Sequence, residues 1–308
     1  MNRRGELSSS QLVTIIILIV SFAVILIFFY MFNFKGEVGK ESCRNSVVLR
    51  GTAMSKSVVQ LQCETKDVCF SKTNGCDSAK KGTEVIKVLD KPALLNELGN
   101  LMYDCWWQMG EGKVDYRASG VGSSESYCAV CNTIKFDSSI KGNSEMNSIS
   151  LKELYTSLQN KKVPNKDMNY LQYMFKMNDY AAVVSNVQAI SENYGKQIDL
   201  DNQKLDLSSG DFALVTALTK SGWAIPAAGA VGGGVAGGAT AYLVTGVLLG
   251  SNPVGWIIGG GVAAGTAIGG TIAYMSTDNG ITYLPPTLYG YNSEDFKGLN
   301  CKEFTTLA

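Results

Sequence analysis

Eight cysteines constrain this chain more than any other feature: Cys43, Cys63, Cys69, Cys76, Cys105, Cys128, Cys131 and Cys301. An even number spread through polar segments points to a disulfide framework in an oxidising compartment. Eight cysteines permit 105 pairings, and sequence does not choose among them. Two sharper readings compete. Cys128 and Cys131 could form half of a zinc site, but Cys63 and Cys69 are spaced more loosely than a second half requires. The same pair could perform redox chemistry, yet no thioredoxin-like βαβ pattern surrounds it. Structural disulfides are therefore preferred, with no metal and no cofactor expected.

Charge is distributed as unevenly as cysteine. Residues 12–34 carry none, and about 20 apolar residues suffice to cross a hydrocarbon core. A cleaved signal has an apolar run of only about 7–15 residues, whereas bulky side chains here continue to Lys35. The expectation is a cytoplasmic N-terminus at 1–11 and a retained transmembrane helix at 12–34. Arg3, Arg4 and the amino terminus before the run are offset by Glu6, and Lys35 and Lys40 after it by Glu37 and Glu41. The charge bias is weak, so the cysteines, all later in the chain, choose the side. Residues 35–220 are then extracytoplasmic.

A second charge-free stretch lies between Lys220 and Asp278, with a turn signal at Asn252-Pro253. It divides into segments of about 224–250 and 254–275, each long enough to span a bilayer. Gly229, Gly233 and Gly237, like Gly261, Gly265 and Gly269, recur every fourth residue. Small residues at that spacing let membrane helices approach closely. The pattern resembles glycine-zipper membrane hairpins, which implies packing through these six glycines and homo-oligomerisation through the hairpin. A hairpin at 221–277 would return the chain to the side it left, so that 278–308 completes the domain begun at 35. The fold expected is an α+β disulfide-stabilised extracytoplasmic domain with an N-terminal transmembrane helix and an inserted glycine-zipper transmembrane helical hairpin. The location expected is the cell membrane, multi-pass, with the lipid bilayer as a partner.

Within 35–220, Val47-Val48-Leu49 and Val58-Val59-Gln60-Leu61 have strand composition. A helix is predicted at about 91–109, with Asp90 as cap, Pro92 in the first turn and Gly110 at its end. Ser150 and Glu153 form a capping box opening a helix near 151–160, and another is predicted at about 167–175. Residues 212–219 read as a buried strand. It runs directly into the glycine-rich stretch, and Ile281-Thr282-Tyr283-Leu284 follows that stretch, so the insert should separate two strands of one domain.

The most unusual segment is Cys105-Trp106-Trp107 followed by Gly110-Glu111-Gly112-Lys113. Adjacent residues on a helix point about 100° apart, so one tryptophan should face the core and the other solvent. Trp106 and Trp107 are thus candidates for holding a partner chain or glycan. The segment resembles membrane-anchored proteins of small-genome archaea, a resemblance that implies no activity. Arg3-Arg4-Gly5-Glu6 before an apolar run resembles an archaeal prepilin signal, which implies cleavage after Gly5 and a pilin-like surface subunit.

Several chemistries are disfavoured. With no histidine, the chain has no Ser-His-Asp or Cys-His nucleophile. Lys and Arg number 27, as do Asp and Glu, so nothing calls for nucleic acid. Gly110-Glu111-Gly112-Lys113 lacks the spacing of a phosphate-binding loop. The chain is expected to be no enzyme but a membrane-anchored cell-surface protein with a structural, adhesion or interaction role. The alternatives are a membrane-perturbing or pore-forming protein acting through the hairpin, and the pilin-like subunit.

Overall fold

The computed structural model describes residues 9–31, 35–53, 58–77, 79–117, 126–185, 204–220, 224–226, 242–244, 275–276, 281–291, 293, 296 and 301–305. Its organising element is the long strand β3, Ser126–Phe136. The C-terminal half of β3 pairs in parallel with β1, Lys66–Ser71, and β1 pairs in parallel with β2, Glu84–Lys87. Its N-terminal half pairs in parallel with β11, Cys301–Thr305. Along its other edge β3 pairs antiparallel with β6, Phe212–Lys220. β6 in turn pairs antiparallel with β10, Ile281–Gly290, and a two-residue β9, Met275–Ser276, closes that side. The strands on either side of the glycine-rich stretch are therefore direct neighbours in one mixed sheet.

Both faces of this sheet are buried. On one, Tyr127, Ala129, Cys131, Ile134 and Phe136 of β3 join a large core with Phe212, Leu214 and Leu218. On the other, Cys128 and Val130 pack with Ala213, Val215, Ala217, Leu284, Tyr289 and Phe296. The alternation along β3 shifts phase after Cys131, where its pairing with β6 carries a bulge between Val130 and Asn132. A second irregularity, between Leu284 and Thr287 of β10, follows from Pro285 and Pro286, which have no N–H to give the ladder. The Thr216 hydroxyl compensates by donating to the Leu284 carbonyl at 2.6 Å.

The helices cover the larger face. α3, Lys91–Gln108, starts where the Asp90 carboxylate accepts the Ala93 N–H at 2.8 Å, and Pro92 supplies helical φ without needing a partner for its nitrogen. It buries Leu94, Leu95, Leu98, Gly99, Met102, Cys105 and Trp106. α5, Leu151–Asn160, opens with the complete Ser150–Glu153 capping box, and α6, Tyr170–Phe175, buries five of its side chains. Three short elements complete this layer: α4, Ser138–Lys141, and the antiparallel pair β4, Ser148–Ser150, with β5, Lys204–Asp206.

The eight cysteines form four disulfides: Cys43–Cys63, Cys69–Cys76, Cys105–Cys131 and Cys128–Cys301. On a strand, residues three apart point to opposite faces. Cys131 therefore joins α3 to the helix-covered face of β3, while Cys128 joins β11 to the other. The Cys-x-x-Cys spacing cannot bring these two sulfurs together, which removes both the zinc and the redox readings of that pair.

Three expectations are corrected. Among the described residues no helix is long and apolar enough to cross a membrane. That overturns the transmembrane helix at 12–34, the glycine-zipper transmembrane hairpin and the multi-pass cell-membrane location. α1, Ser9–Met31, is helical, and its described side chains, at residues 13–25, are exposed. In the glycine-rich stretch, two described segments within the first expected helix, about 224–250, are extended: β7, Ala224–Pro226, pairs antiparallel with β8, Tyr242–Val244. Absence of charge measured apolarity there, but glycine's poor helix propensity left the backbone form open. The zipper residues Gly229, Gly233, Gly237, Gly261, Gly265 and Gly269 lie outside the described residues, as does Gly5.

The third correction concerns local propensity. Val47-Val48-Leu49 belongs to α2, Lys35–Thr52, where Val47 is buried while Val48 and Leu49 are exposed. Residues 58–61 form a turn and irregular chain. Three apolar residues in a row are too short a sample to separate a strand from one side of a helix.

The Cys128–Cys301 bond closes a loop of 173 residues, so chain-entropy arithmetic assigns it a stabilisation of about 5 kcal/mol. A C128A/C301A variant should show a guanidinium midpoint lowered by a loss of several kcal/mol, with the other three disulfides intact by mass.

Candidate functional site at the end of α3

The termination of α3 sets the geometry of the candidate site. The Gly110 N–H donates to the Trp107 carbonyl at 3.2 Å, and the Glu111 N–H reaches back to the Trp106 carbonyl at 2.9 Å. These are the two bonds of a Schellman motif. Gly110, Glu111 and Gly112 all have positive φ, at 82°, 59° and 69°. Gly110 also lacks room for a side chain, since a Cβ there would meet Val114 Cγ2 at 2.7 Å. Glu111 has no such licence, and a left-handed non-glycine residue costs about 1–2 kcal/mol.

What the strained backbone achieves is to turn the Glu111 carboxylate inward, where its side chain is only 8% exposed. Arg44 Nη2 of α2 donates to Oε1 at 2.9 Å. Lys113 Nζ donates to Oε2 at 3.1 Å, and Lys166 Nζ lies 3.6 Å from the same oxygen. The Tyr173 hydroxyl faces the carboxylate too. Burial alone would push the Glu111 carboxyl up, but the Lys113 ammonium, the Tyr173 hydroxyl and the charge of Lys166 hold it at about 2. Burial first, then the Glu111 charge, pushes the Tyr173 phenol well above its ordinary value. Lys176, at the αL end of α6, is lowered by burial and then by the nearby charge of Lys113.

Charge at this turn does not cancel. Three cations contact one carboxylate. The C-terminal end of a helix adds only about half a negative charge. A positive surplus therefore remains, most of it at Lys113, whose side chain is 70% exposed.

Aromatic rings support these cations. The Arg44 guanidinium lies 4.5 Å above the Trp107 ring and also donates to the Trp107 carbonyl. Lys166 sits 4.3 Å from the Tyr173 centroid. Of the two tryptophans nominated from sequence, Trp107 is half-buried at this surface, whereas Trp106 is buried in the core and its Nε1 has no hydrogen-bond partner among the described residues. Trp106 is thus placed to pack, not to touch a partner. Sequence reasoning missed Arg44, Glu111, Lys166 and Tyr173, which come from three separate segments. The Gly110-x-Gly112 pattern was the available signal for Glu111, since flanking glycines mark a left-handed turn.

A second polar cluster makes a useful contrast. Asp137, buried at the end of β3, accepts Ser139 Oγ at 2.6 Å, the Ser139 N–H at 3.1 Å, the Asp77 N–H at 3.0 Å and Ser71 Oγ at 3.2 Å. The Ser139 hydroxyl, ahead of the other donors, holds its carboxyl well below the carboxylate range. Its lone pairs are committed, and the result is a clasp for the loop closed by Cys69–Cys76. All eight cysteine sulfurs are likewise consumed, so none is a thiol nucleophile.

No protein family, curated protein or solved structure matches this chain. The reading of the site therefore rests on its geometry.

Because the folded Glu111 carboxyl lies below its ordinary value of 4.5, its contribution to stability is full above about pH 4.5 and drains as pH falls toward about 2. Glu111→Gln should destabilise the protein at neutral pH by about 2 kcal/mol, by leaving the cations without their counter-charge. The gap between the two proteins in urea denaturation should narrow as pH is lowered through that window.

Proposed function

We propose that this chain is a non-enzymatic interaction protein that works in an oxidising compartment and holds a surface protein or glycan on the face where α3 ends. The observation that carries this reading is the surplus of cations around buried Glu111. A fold seldom places a non-glycine residue in a left-handed turn and then gathers three cations on it for stability alone, since strain of this kind concentrates at functional sites. Half-exposed Trp107 beside that charge supplies the apolar contact area that interfaces favour. The four disulfides support the compartment, because such bonds persist where thiols are oxidised. A binding role also fits the absence of histidine and of any free thiol.

A solid-phase screen of the full disulfide-bonded chain against arrayed surface glycans and surface proteins tests this directly. At least one ligand should be retained, and Lys113→Gln with Lys166→Gln, which leaves Arg44 paired with Glu111, should weaken retention at least tenfold while the near-ultraviolet dichroism of the fold is preserved. Retention unchanged in that double variant, or no retained ligand of either kind, would contradict the proposal.

A further inference from the structure

The candidate site does not stop at Glu111. Asn96, Asn100, Tyr103 and Trp107 follow one another at spacings of four, three and four, which places them along one side of α3 over a rise of about 17 Å. Tyr103 is stacked on Tyr170 at 4.9 Å and lies 5.4 Å from Tyr173, so a half-exposed ring of α3 rests on a bed of two buried rings of α6. Cations lie on this bed at intervals. Lys161 is 5.0 Å from the Tyr170 centroid at one end, Lys166 is over Tyr173, and Arg44 is over Trp107 at the other. Lys161 is held there by the carbonyl and side-chain oxygens of Asn96 at 3.0 and 2.6 Å and by the Asn100 side chain. Asp104 pairs with Lys40 at 2.7 Å and Glu111 holds its three cations, whereas Glu97 accepts from the neutral Asn96 and Asn100 amides and its charge acts on Lys161.

The geometry points to an anionic oligosaccharide, a chain of sugars bearing carboxylate or sulfate groups, as the ligand of this strip. The inference rests on the binding role proposed above and names its ligand class. Repeated anionic groups match cations spread along a line better than one compact ion, which would engage only the Glu111 end. Half-exposed Tyr103 and Trp107 add apolar contact area beside the cations, and the Asn96 and Asn100 amides each keep a second N–H for a sugar hydroxyl. An acidic peptide fits less well. The strip is the outer side of a helix and offers neither a strand edge nor an apolar groove to fix a peptide backbone, so only its charges would be read.

Calorimetry on the full disulfide-bonded chain distinguishes the cases, with heparin oligosaccharides (sulfate and carboxylate), hyaluronan oligosaccharides (carboxylate only), dextran (neutral), poly-L-glutamate and inorganic sulfate as probes. At least one of the two anionic glycans should bind, more weakly as salt rises, and dextran should not. Lys113→Ala with Lys166→Ala should weaken that binding at least tenfold. Lys161→Ala, at the far end of the strip, should weaken the oligosaccharide several-fold and leave sulfate unaffected. Trp107→Phe keeps a ring beneath Arg44 and should retain most of the affinity, whereas Trp107→Ala should lose it with the near-ultraviolet dichroism of the fold preserved. Failure of both anionic glycans, or poly-L-glutamate binding as tightly as they do, overturns the inference. If the arrayed screen then yields a protein ligand sensitive to Lys113 and Lys166, the interaction role stands and only the glycan assignment falls.

Discussion

The two-sidedness of β3 is the constraint on which the rest of this structure depends. A strand buried on both faces can be stapled from both, and β3 is: Cys131 ties α3 to one side and Cys128 ties β11 to the other. The links span 26 and 173 residues, and each lands on a core of buried apolar side chains. The disulfides therefore restrict the unfolded chain more than they shape the folded one. Because β11 pairs with the very half of β3 that β1 leaves open, the chain's last described strand is part of the central sheet.

That arrangement also explains where the candidate site lies. Cys105 sits near the end of α3, so the bond to β3 fixes the helix close to the turn that follows. The Schellman motif then projects Glu111 inward, and α2 and the segment before α6 bring Arg44 and Lys166 to it. A carboxylate so placed orders cations in space, and the surplus of charge is what remains to act on something else. Asp137 shows a different outcome, a carboxylate whose hydrogen-bonding capacity is taken up by neutral donors of its own clasp.

Local signals in the sequence translated well where a single segment determined the answer. Asp90 with Pro92 marked the start of α3, Ser150 with Glu153 marked α5, and the β-rich composition of 212–219 marked β6. Failures arose where the determining partner was elsewhere. Val47 became helical because α2 packs it under α3, a contact no window of residues reveals. In the glycine-rich stretch 221–277, lack of charge does not by itself specify a helix, and the described pair β7–β8 is extended. The cysteines showed the same division. Their number and setting were legible, but their pairing needed the register of β3, since only the strand assignment separates Cys128 from Cys131. Glu111 was hidden for a similar reason, its importance lying in Arg44 and Lys166, 67 and 55 positions away.

Peptide mapping of the intact protein under non-reducing conditions tests the two-sided strand most directly. Cleavage between residues 128 and 131 is not needed: the fragment carrying both cysteines should be found joined to one fragment containing Cys105 and another containing Cys301. A Cys128–Cys131 bond within that fragment, or free thiols at either position, would contradict the account of β3 and with it the placement of the site.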